Sequence, residues 1–272
     1  MALKAYVLGK LDQMLSTTLF HAIAELGQRA LILCEPADTY LSLGYFDKAQ
    51  ELVDLERCKK LGIGVIRRRI GGGAVLLGPG QVFYQLLLSK REVPFRVEEA
   101  YRKLSLPVIR AYARLGLEVE YRPVNDLLVK KNQRKISGQG AGDIGNLFVF
   151  VGNVLLRFDP DMMAELFALP DAQLREEVRQ SLWENIGWLE RELSESLDSW
   201  QVMETLLEEF RKEWELEVHF CPPSEAVERA HALREEMTSL EQLLEDTGRS
   251  HTSIKIREGV YVRKTQSSKH LT

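Results

Sequence analysis

Cysteine is scarce in this 272-residue chain and is not arranged for bonding: Cys34, Cys58 and Cys221 are odd in number, widely spaced, and form no Cys-x-x-Cys. Such spacing gives neither a disulfide framework nor a zinc knuckle, and a reducing cytoplasm is the compartment that fits. Long apolar runs are missing too. The most apolar stretch, Leu147 to Leu156, is broken by Gly152 and Asn153 and falls short of the about 20 residues that span a bilayer. No apolar run follows Met1-Ala-Leu-Lys4, so no targeting segment and no membrane association are expected. Positive charge is not in excess, because 36 Lys and Arg stand against 40 Asp and Glu for a net −4. That balance excludes a chain-wide footprint for nucleic acid and confines any anion site to a local patch. Gly and Pro, at 19 and 9, are too few for a collagen-like or low-complexity chain.

What is present is an ordinary globular pattern. Ala5 to Leu8 reads as a strand, Asp12 to Leu26 as a helix, and Ala30 to Cys34 with Thr39 to Leu43 as two strands around the turn Glu35-Pro36-Ala37-Asp38. Lys48 to Leu61 reads as a helix, Gly64 to Arg68 as a strand stopped by Gly71-Gly72-Gly73, Val82 to Leu88 as an apolar strand, and Val97 to Leu115 as an amphipathic helix. Leu127 to Lys130 and Arg134 to Ser137 flank the polar turn Lys131-Asn132-Gln133, and a strand resumes at Asn146 to Phe158 after the glycine-rich segment Gly138 to Gly145. Strands in neighbouring pairs predict an α+β fold with a mixed, largely antiparallel sheet flanked by helices.

From Asp159 the pattern turns helical, with helices over Pro160 to Phe167, Ala172 to Trp183 and Ser199 to Trp214, and a charged linker from Glu190 to Ser196. Pro222-Pro223 marks a boundary, so residues 1–218 are expected as one domain and residues 219–272 as a small helix–hairpin appendage. In that appendage Val227, Ala230, Leu233, Met237, Leu240 and Leu244 describe one long helix ending at Gly248. A hairpin over Ser253 to Ile256 and Val260 to Val262 follows, then a frayed tail from Lys264 to Thr272.

Two constellations carry chemistry. In Arg67-Arg68-Arg69-Ile70-Gly71-Gly72-Gly73-Ala74-Val75, glycines permit close approach of backbone N–H groups to a ligand and arginines can supply a fork for phosphate or carboxylate. A plain glycine bend beside a solvated strand face reads equally well. The segment matches neither the Walker A pattern nor the dinucleotide fingerprint. In the second, Asn125-Asp126-Leu127 opens a strand and Lys135-Ile136-Ser137-Gly138 lies on the returning one, so a hairpin could bring a carboxylate and an amine together. The alternative there is an exposed basic tip made by Lys130, Lys131, Arg134 and Lys135.

Taken in order, Arg67-Arg68-x-x-Gly71-Gly72-Gly73-Ala74-Val75, Asn125-Asp126-Leu127 and Lys135-Ile136-Ser137-Gly138 resemble the catalytic core of the lipoate–protein ligases, within the biotin and lipoate ligase group. The likeness runs from about Leu3 to Val218, with Ser42-Leu43-Gly44 where the family has an apolar-Gly strand end before its acyl tunnel. The resemblance implies a two-step reaction: lipoic acid and ATP form lipoyl-adenylate, and the acyl group passes to a lysine of a lipoyl carrier protein, either the lipoyl domain of a 2-oxoacid dehydrogenase or a protein like the glycine-cleavage H-protein. It implies Lys135 as the catalytic residue, touching the carboxyl oxygen and the α-phosphate. It places Arg67, Arg68, Gly71, Gly72, Gly73, Ala74, Val75, Asn125, Asp126, Ser137 and Gly138 on the substrate and adenylate, and Asp126 on Mg²⁺. Leu43, Val75, Leu76 and Tyr84 are the residues expected along the acyl tunnel, and a monomer is expected.

The chain departs from the family at three places. Leu76-Leu77-Gly78 replaces an aromatic-His-Asp segment, Val151-Gly152 a His-Gly pair, and Ile70 a serine. Two other readings stand beside the ligase. An octanoyl transferase of the same fold needs no ATP but needs an activated thiolate, and Cys34, Cys58 and Cys221 fall on a strand, a helix face and a linker. A non-catalytic acyl or carrier-binding homologue would have less need of Lys135 and Asp126 together.

Overall fold

The computed structural model describes residues 2–246 and 253–264. Its first half runs β1 (Leu3–Leu11), α1 (Leu15–Glu25), β2 (Ala30–Pro36), β3 (Tyr40–Leu43), α2 (Ala49–Leu52), α3 (Leu55–Lys60), β4 (Gly64–Arg67), β5 (Val75–Leu77) and β6 (Gln81–Ser89). Then come α4 (Val97–Leu104), α5 (Leu106–Arg114), β7 (Val119–Arg122), β8 (Asp126–Val129), β9 (Lys135–Ile144) and β10 (Leu147–Leu155). The rest comprises α6 (Pro160–Leu166), α7 (Ala172–Asn185), α8 (Leu189–Leu193), α9 (Ser199–Arg211), β11 (Leu216–His219), α10 (Ser224–Thr238), α11 (Leu240–Leu244), β12 (Ser253–Arg257) and β13 (Val260–Arg263).

Eight strands make one sheet in the order β11-β1-β2-β6-β10-β9-β8-β7. Only β11 with β1 and β1 with β2 run parallel; the other neighbours are antiparallel, which is the mixed sheet expected. A small sheet, β4-β3-β5, and the hairpin β12-β13 complete the described strands. The strand β6 shows why its sequence is a continuous apolar run. Val82, Tyr84, Leu86 and Leu88 enter the core shared with α4, α5 and α9, while Phe83 and Leu87 enter the core shared with α1 and α10. A central strand covered on both faces has no solvent side to keep polar. A third core joins the small sheet to α2, α6 and α7.

Several expectations are corrected by particular residues. The helix over Lys48 to Leu61 is two pieces, because Val53 is extended and the Asp54 carboxylate caps the second by accepting the Arg57 N–H. The Val97 to Leu115 helix divides at Ser105, just before Pro107, which lacks the amide a continuing helix would use. The strands β2 and β3 are not a pair: β2 lies between β1 and β6, and β3 between β4 and β5. The segment Gly138 to Gly145 is no break but most of β9, and its glycines make room for another backbone: a Cβ on Gly140 would stand 2.7 Å from the Gly71 carbonyl oxygen. The linker from Glu190 to Ser196 holds α8, and the long helix breaks at Ser239, whose hydroxyl accepts the Gln242 N–H at α11. The short strands β5, β7 and β11 were not expected. Gly248 and the tail beyond Lys264 lie outside the described residues.

Residues after 219 have no core of their own among the described residues. Ala226, Ala230, Leu233 and Met237 pack with Phe20 and Ile23 in one cluster, and Leu243, Ile254 and Ile256 pack with Leu41, Leu52 and Phe167 in another. Fully buried Leu, Ile and Met side chains contribute about 1.5–3 kcal/mol each, so the segment is held by a shared interior. No helix among the described residues is long and apolar enough to cross a membrane.

One buried side chain ties α1 to the strand end before the glycines. His21 is fully buried; its Nδ1–H donates to the Thr17 carbonyl at 2.8 Å, which leaves Nε2 to accept the Arg69 N–H at 3.0 Å. Burial pulls its pKa down to about 3, opposed by the Thr17 carbonyl and reinforced by Arg69 and Arg68. A base whose folded pKa is depressed binds more protons unfolded, so stability is lost as pH falls below the unfolded value near 6.5. Between pH 6.5 and 5 the loss from this group is about 1.6 kcal/mol, and His21→Gln, which keeps an acceptor for Arg69, is expected to flatten that slope in urea titrations.

Candidate functional site

The polar centre of the site is built by the hairpin β8–β9. Asp126 opens β8 opposite Gly138 on β9, with a bulge between Leu127 and Leu128. That register brings the Lys135 Nζ to 2.9 Å from the Asp126 Oδ1, and the aspartate side chain is wholly buried. A Cβ on Gly138 would lie 3.1 Å from Lys135 Cε and 3.3 Å from Nζ, so the glycine three residues after the lysine is the space through which the lysine folds back. The spacing Lys-x-x-Gly thus has a steric reason. Asn125 is fixed as well: its Nδ2 donates to the Gln139 carbonyl at 2.5 Å. Below it the Tyr84 hydroxyl meets Ser137 Oγ at 3.1 Å and accepts from Gln139 Nε2 at 3.0 Å, and burial, offset in part by those bonds, pushes its pKa up to about 12.

The glycine loop closes the opposite wall. Arg68 is buried, and its guanidinium donates to the carbonyls of Ser42, Gly71 and Gly73, so the charge organises the loop from beneath. Burial lowers its hold on the proton, with Asp47 opposing. The loop passes so close to β3 that a Cβ on Gly44 would stand 1.9 Å from the Gly72 carbonyl oxygen, and Gly72 itself has φ +106°. Arg67 serves elsewhere. Its guanidinium is taken up by the carbonyls of Tyr45, Asp47, Gln242 and Leu243, which staples the β3–α2 loop to α11.

Between these walls lies a cavity of ≈ 540 Å³. Lys135, Asn125, Arg68, Gly138 and the segment Gly71 to Val75 line it; Arg67, Asp126 and Ser137 do not, Asp126 and Ser137 being buried behind Lys135 and Tyr84. Its apolar part is formed by Phe20, Leu52, Leu77, Phe83, Val151 and Phe167. Of the residues expected along the tunnel only Val75 lines the cavity. Leu43 and Leu76 belong to the core of the small sheet, and Tyr84 projects from the other face of β6. The alternation along β6 was the signal that distinguishes them: Tyr84 and Phe83 are neighbours and must face opposite sides. The C-terminal hairpin completes the cavity with Ser253, Ile254, Lys255, Glu258 and Tyr261, none of which the motifs point to. No cysteine lines it, Cys34 and Cys58 are buried, and burial with Glu35 and with Asp54 raises their thiol pKa values, that of Cys58 to about 11.

Asp126 does not fit a metal ligand in this arrangement. One oxygen is paired with Lys135, the other accepts the Glu258 N–H at 2.7 Å, and the carboxylate is wholly buried. Among the described residues no group of three or more His, Cys, Asp or Glu side chains is placed to hold an ion. A cation that travels with a nucleotide is held mainly by the phosphates.

The model for the lipoyl protein ligase A/B catalytic domain matches residues 11–211. The chain belongs to this family. Octanoyltransferase LipM of Oceanobacillus iheyensis is 30% identical over 172 residues, covering 57% of this chain and 62% of the relative. Lipoate-protein ligase A subunit 1 of Thermoplasma acidophilum is 25% identical over 169 residues, covering 59% and 64%. The alignments thus span somewhat under two thirds of these relatives. In three dimensions the bipartite lipoate protein ligase of Thermoplasma acidophilum, solved with its lipoyl domain, superposes with TM-score 0.76 at 19% identity over 92% of this chain and 99% of the other. A lipoate-protein ligase A bound with ATP gives 0.73 at 19% identity over 90% and 99%. The family fold is therefore shown.

The glycine loop gives a direct test of this geometry. Gly44→Ala, which forces the Gly72 carbonyl aside, is expected to cost about 1–3 kcal/mol in chemical unfolding. Gly73→Ala, which meets nothing within 4 Å, is expected to stay within about 0.5 kcal/mol of the unmodified protein.

Proposed function

We propose that this chain is an ATP-dependent lipoate–protein ligase. A lipoate carboxylate oxygen attacks the α-phosphorus of ATP, the α–β anhydride bond breaks, and pyrophosphate leaves. The amine of a carrier lysine then attacks the acyl carbon, AMP departs with the acyl C–O bond pair, and the amine proton is released to solvent. The observation that carries the reading is a cavity with a lysine held at its wall and no thiol in its lining.

Two anions, carboxylate and triphosphate, must approach one another, and a fixed cation offsets their repulsion and meets the charge that develops in the transition state. Lys135 has that place. Held from behind by Asp126, its ammonium group needs little reorganisation to face the carboxyl oxygen and the α-phosphate. Arg68 keeps the Gly71 to Val75 backbone open beside the same path. The apolar end of the cavity suits an eight-carbon chain, whose burial contributes about 0.8 kcal/mol per methylene, and its volume falls in the range of small-molecule sites. A lipoyl domain as the acceptor is supported by the neighbour solved with one.

The LipM relatives favour a second reading, transfer of an octanoyl group without ATP. That route passes through a thiolate, for which the cavity lining offers no residue. One set of reactions separates the two. With lipoate, ATP and Mg²⁺, pyrophosphate release and lipoyl-adenylate are expected from the unmodified protein and from a variant with all three cysteines changed to alanine. Lys135→Ala is expected to lower adenylation about 10²–10³-fold, the loss seen when one transition-state donor is removed. Acyl transfer from an octanoyl thioester without ATP, abolished in the cysteine-free variant, would overturn the ligase.

A further inference from the structure

The C-terminal hairpin delivers a second ammonium group to the activation site. Along β12 the burial alternates: Ile254 and Ile256 are inserted in the core beside Leu41, Leu52 and Phe167. A strand with those two residues inward presents Lys255 on its more exposed side, and from there Lys255 borders the cavity that Ile254 also lines. The Lys255 Nζ lies 3.0 Å from Asn125 Oδ1, and the Glu258 N–H donates to Asp126 at 2.7 Å. The hairpin therefore grips both residues of the Asn125-Asp126 pair, Asp126 being the residue that holds Lys135. Within the hairpin Lys255 is paired with Glu258, whose other oxygen accepts from the Tyr261 hydroxyl at 3.2 Å.

The two lysines are held differently. Lys135 is paired with a carboxylate that has no exposure, whereas Lys255 and Glu258 keep 34% and 18% of their side-chain surface. Ion pairs open to solvent contribute little and exchange readily. An arriving phosphate, with more charge than a carboxylate and three acceptor oxygens, competes well for Lys255. We propose that Lys255 is a phosphate-binding residue of the activation site and that Glu258 is its internal counter-ion, displaced when the nucleotide phosphate enters. This rests on the ATP-dependent reading above, and it makes the hairpin part of the first reaction step.

The test is ATP titration by calorimetry together with steady-state pyrophosphate release, using full-length protein, Lys255→Ala, Lys255→Arg and Glu258→Gln. Lys255→Ala is expected to raise the ATP KM and Kd about 10-fold or more with little change in melting temperature, and Lys255→Arg to recover most of the affinity. Removing the competing charge in Glu258→Gln is expected to tighten ATP binding several-fold. Active unmodified protein with ATP parameters unchanged in Lys255→Ala would overturn the role of Lys255 and leave the ligase standing. If unmodified protein neither binds ATP nor releases pyrophosphate, the ligase reading falls and the phosphate role with it.

Discussion

The contact on which the site depends is the ion pair between Lys135 and Asp126. A carboxylate with no exposure is tolerable only when it is paired and hydrogen-bonded, and here both its oxygens are engaged, one by the lysine and one by the Glu258 N–H. Much of the local architecture serves that arrangement. The bulge between Leu127 and Leu128 sets the register, Gly138 leaves the space over which the lysine bends, and Ile254 and Ile256 hold the hairpin that closes Asp126 from the far side. The pair presents a cation at the cavity wall in a fixed position.

The glycine loop supplies the facing wall by a different principle. Arg68 spends its donors on carbonyls of its own neighbourhood, so it shapes the backbone. Arg67, adjacent in the chain, uses its donors to join the β3–α2 loop to α11. Two consecutive arginines thus hold the two ends of one structural unit: the segment after residue 219, whose apolar residues share the cores of the preceding chain, and the loop that borders the cavity.

The sheet type and the Lys135 with Asp126 and Gly138 constellation were legible in the sequence because they are local: alternation, a hairpin turn and a fixed spacing. The elements that were missed depend on distant partners. Gly138 to Gly145 reads as a loop by composition, and becomes a strand because the backbone at Gly71 lies against Gly140. The strands β2 and β3 look like a hairpin by proximity, yet join different sheets, β2 pairing with β1 and β6 and β3 with β4 and β5. Phe20, Phe83 and Phe167 enter one cavity from three parts of the chain, and Lys255 reaches Asn125 across 130 positions. No spacing rule reports such convergence. The second partner of Asp126 was hidden for the same reason, since it is the backbone of a residue far along the chain.

The family likeness leaves the choice between adenylation and thioester transfer to the cavity's own chemistry, and that chemistry turns on where Lys135 points when substrate is bound. A crystal structure of the protein with a non-hydrolysable lipoyl-adenylate analogue tests this most directly. The account predicts the Lys135 Nζ within hydrogen-bond distance of the acyl and phosphate-mimicking oxygens while Asp126 remains its partner, with the acyl chain between Phe83 and Phe167. An analogue bound away from Lys135, or a Lys135 turned from the ligand toward solvent, would contradict it.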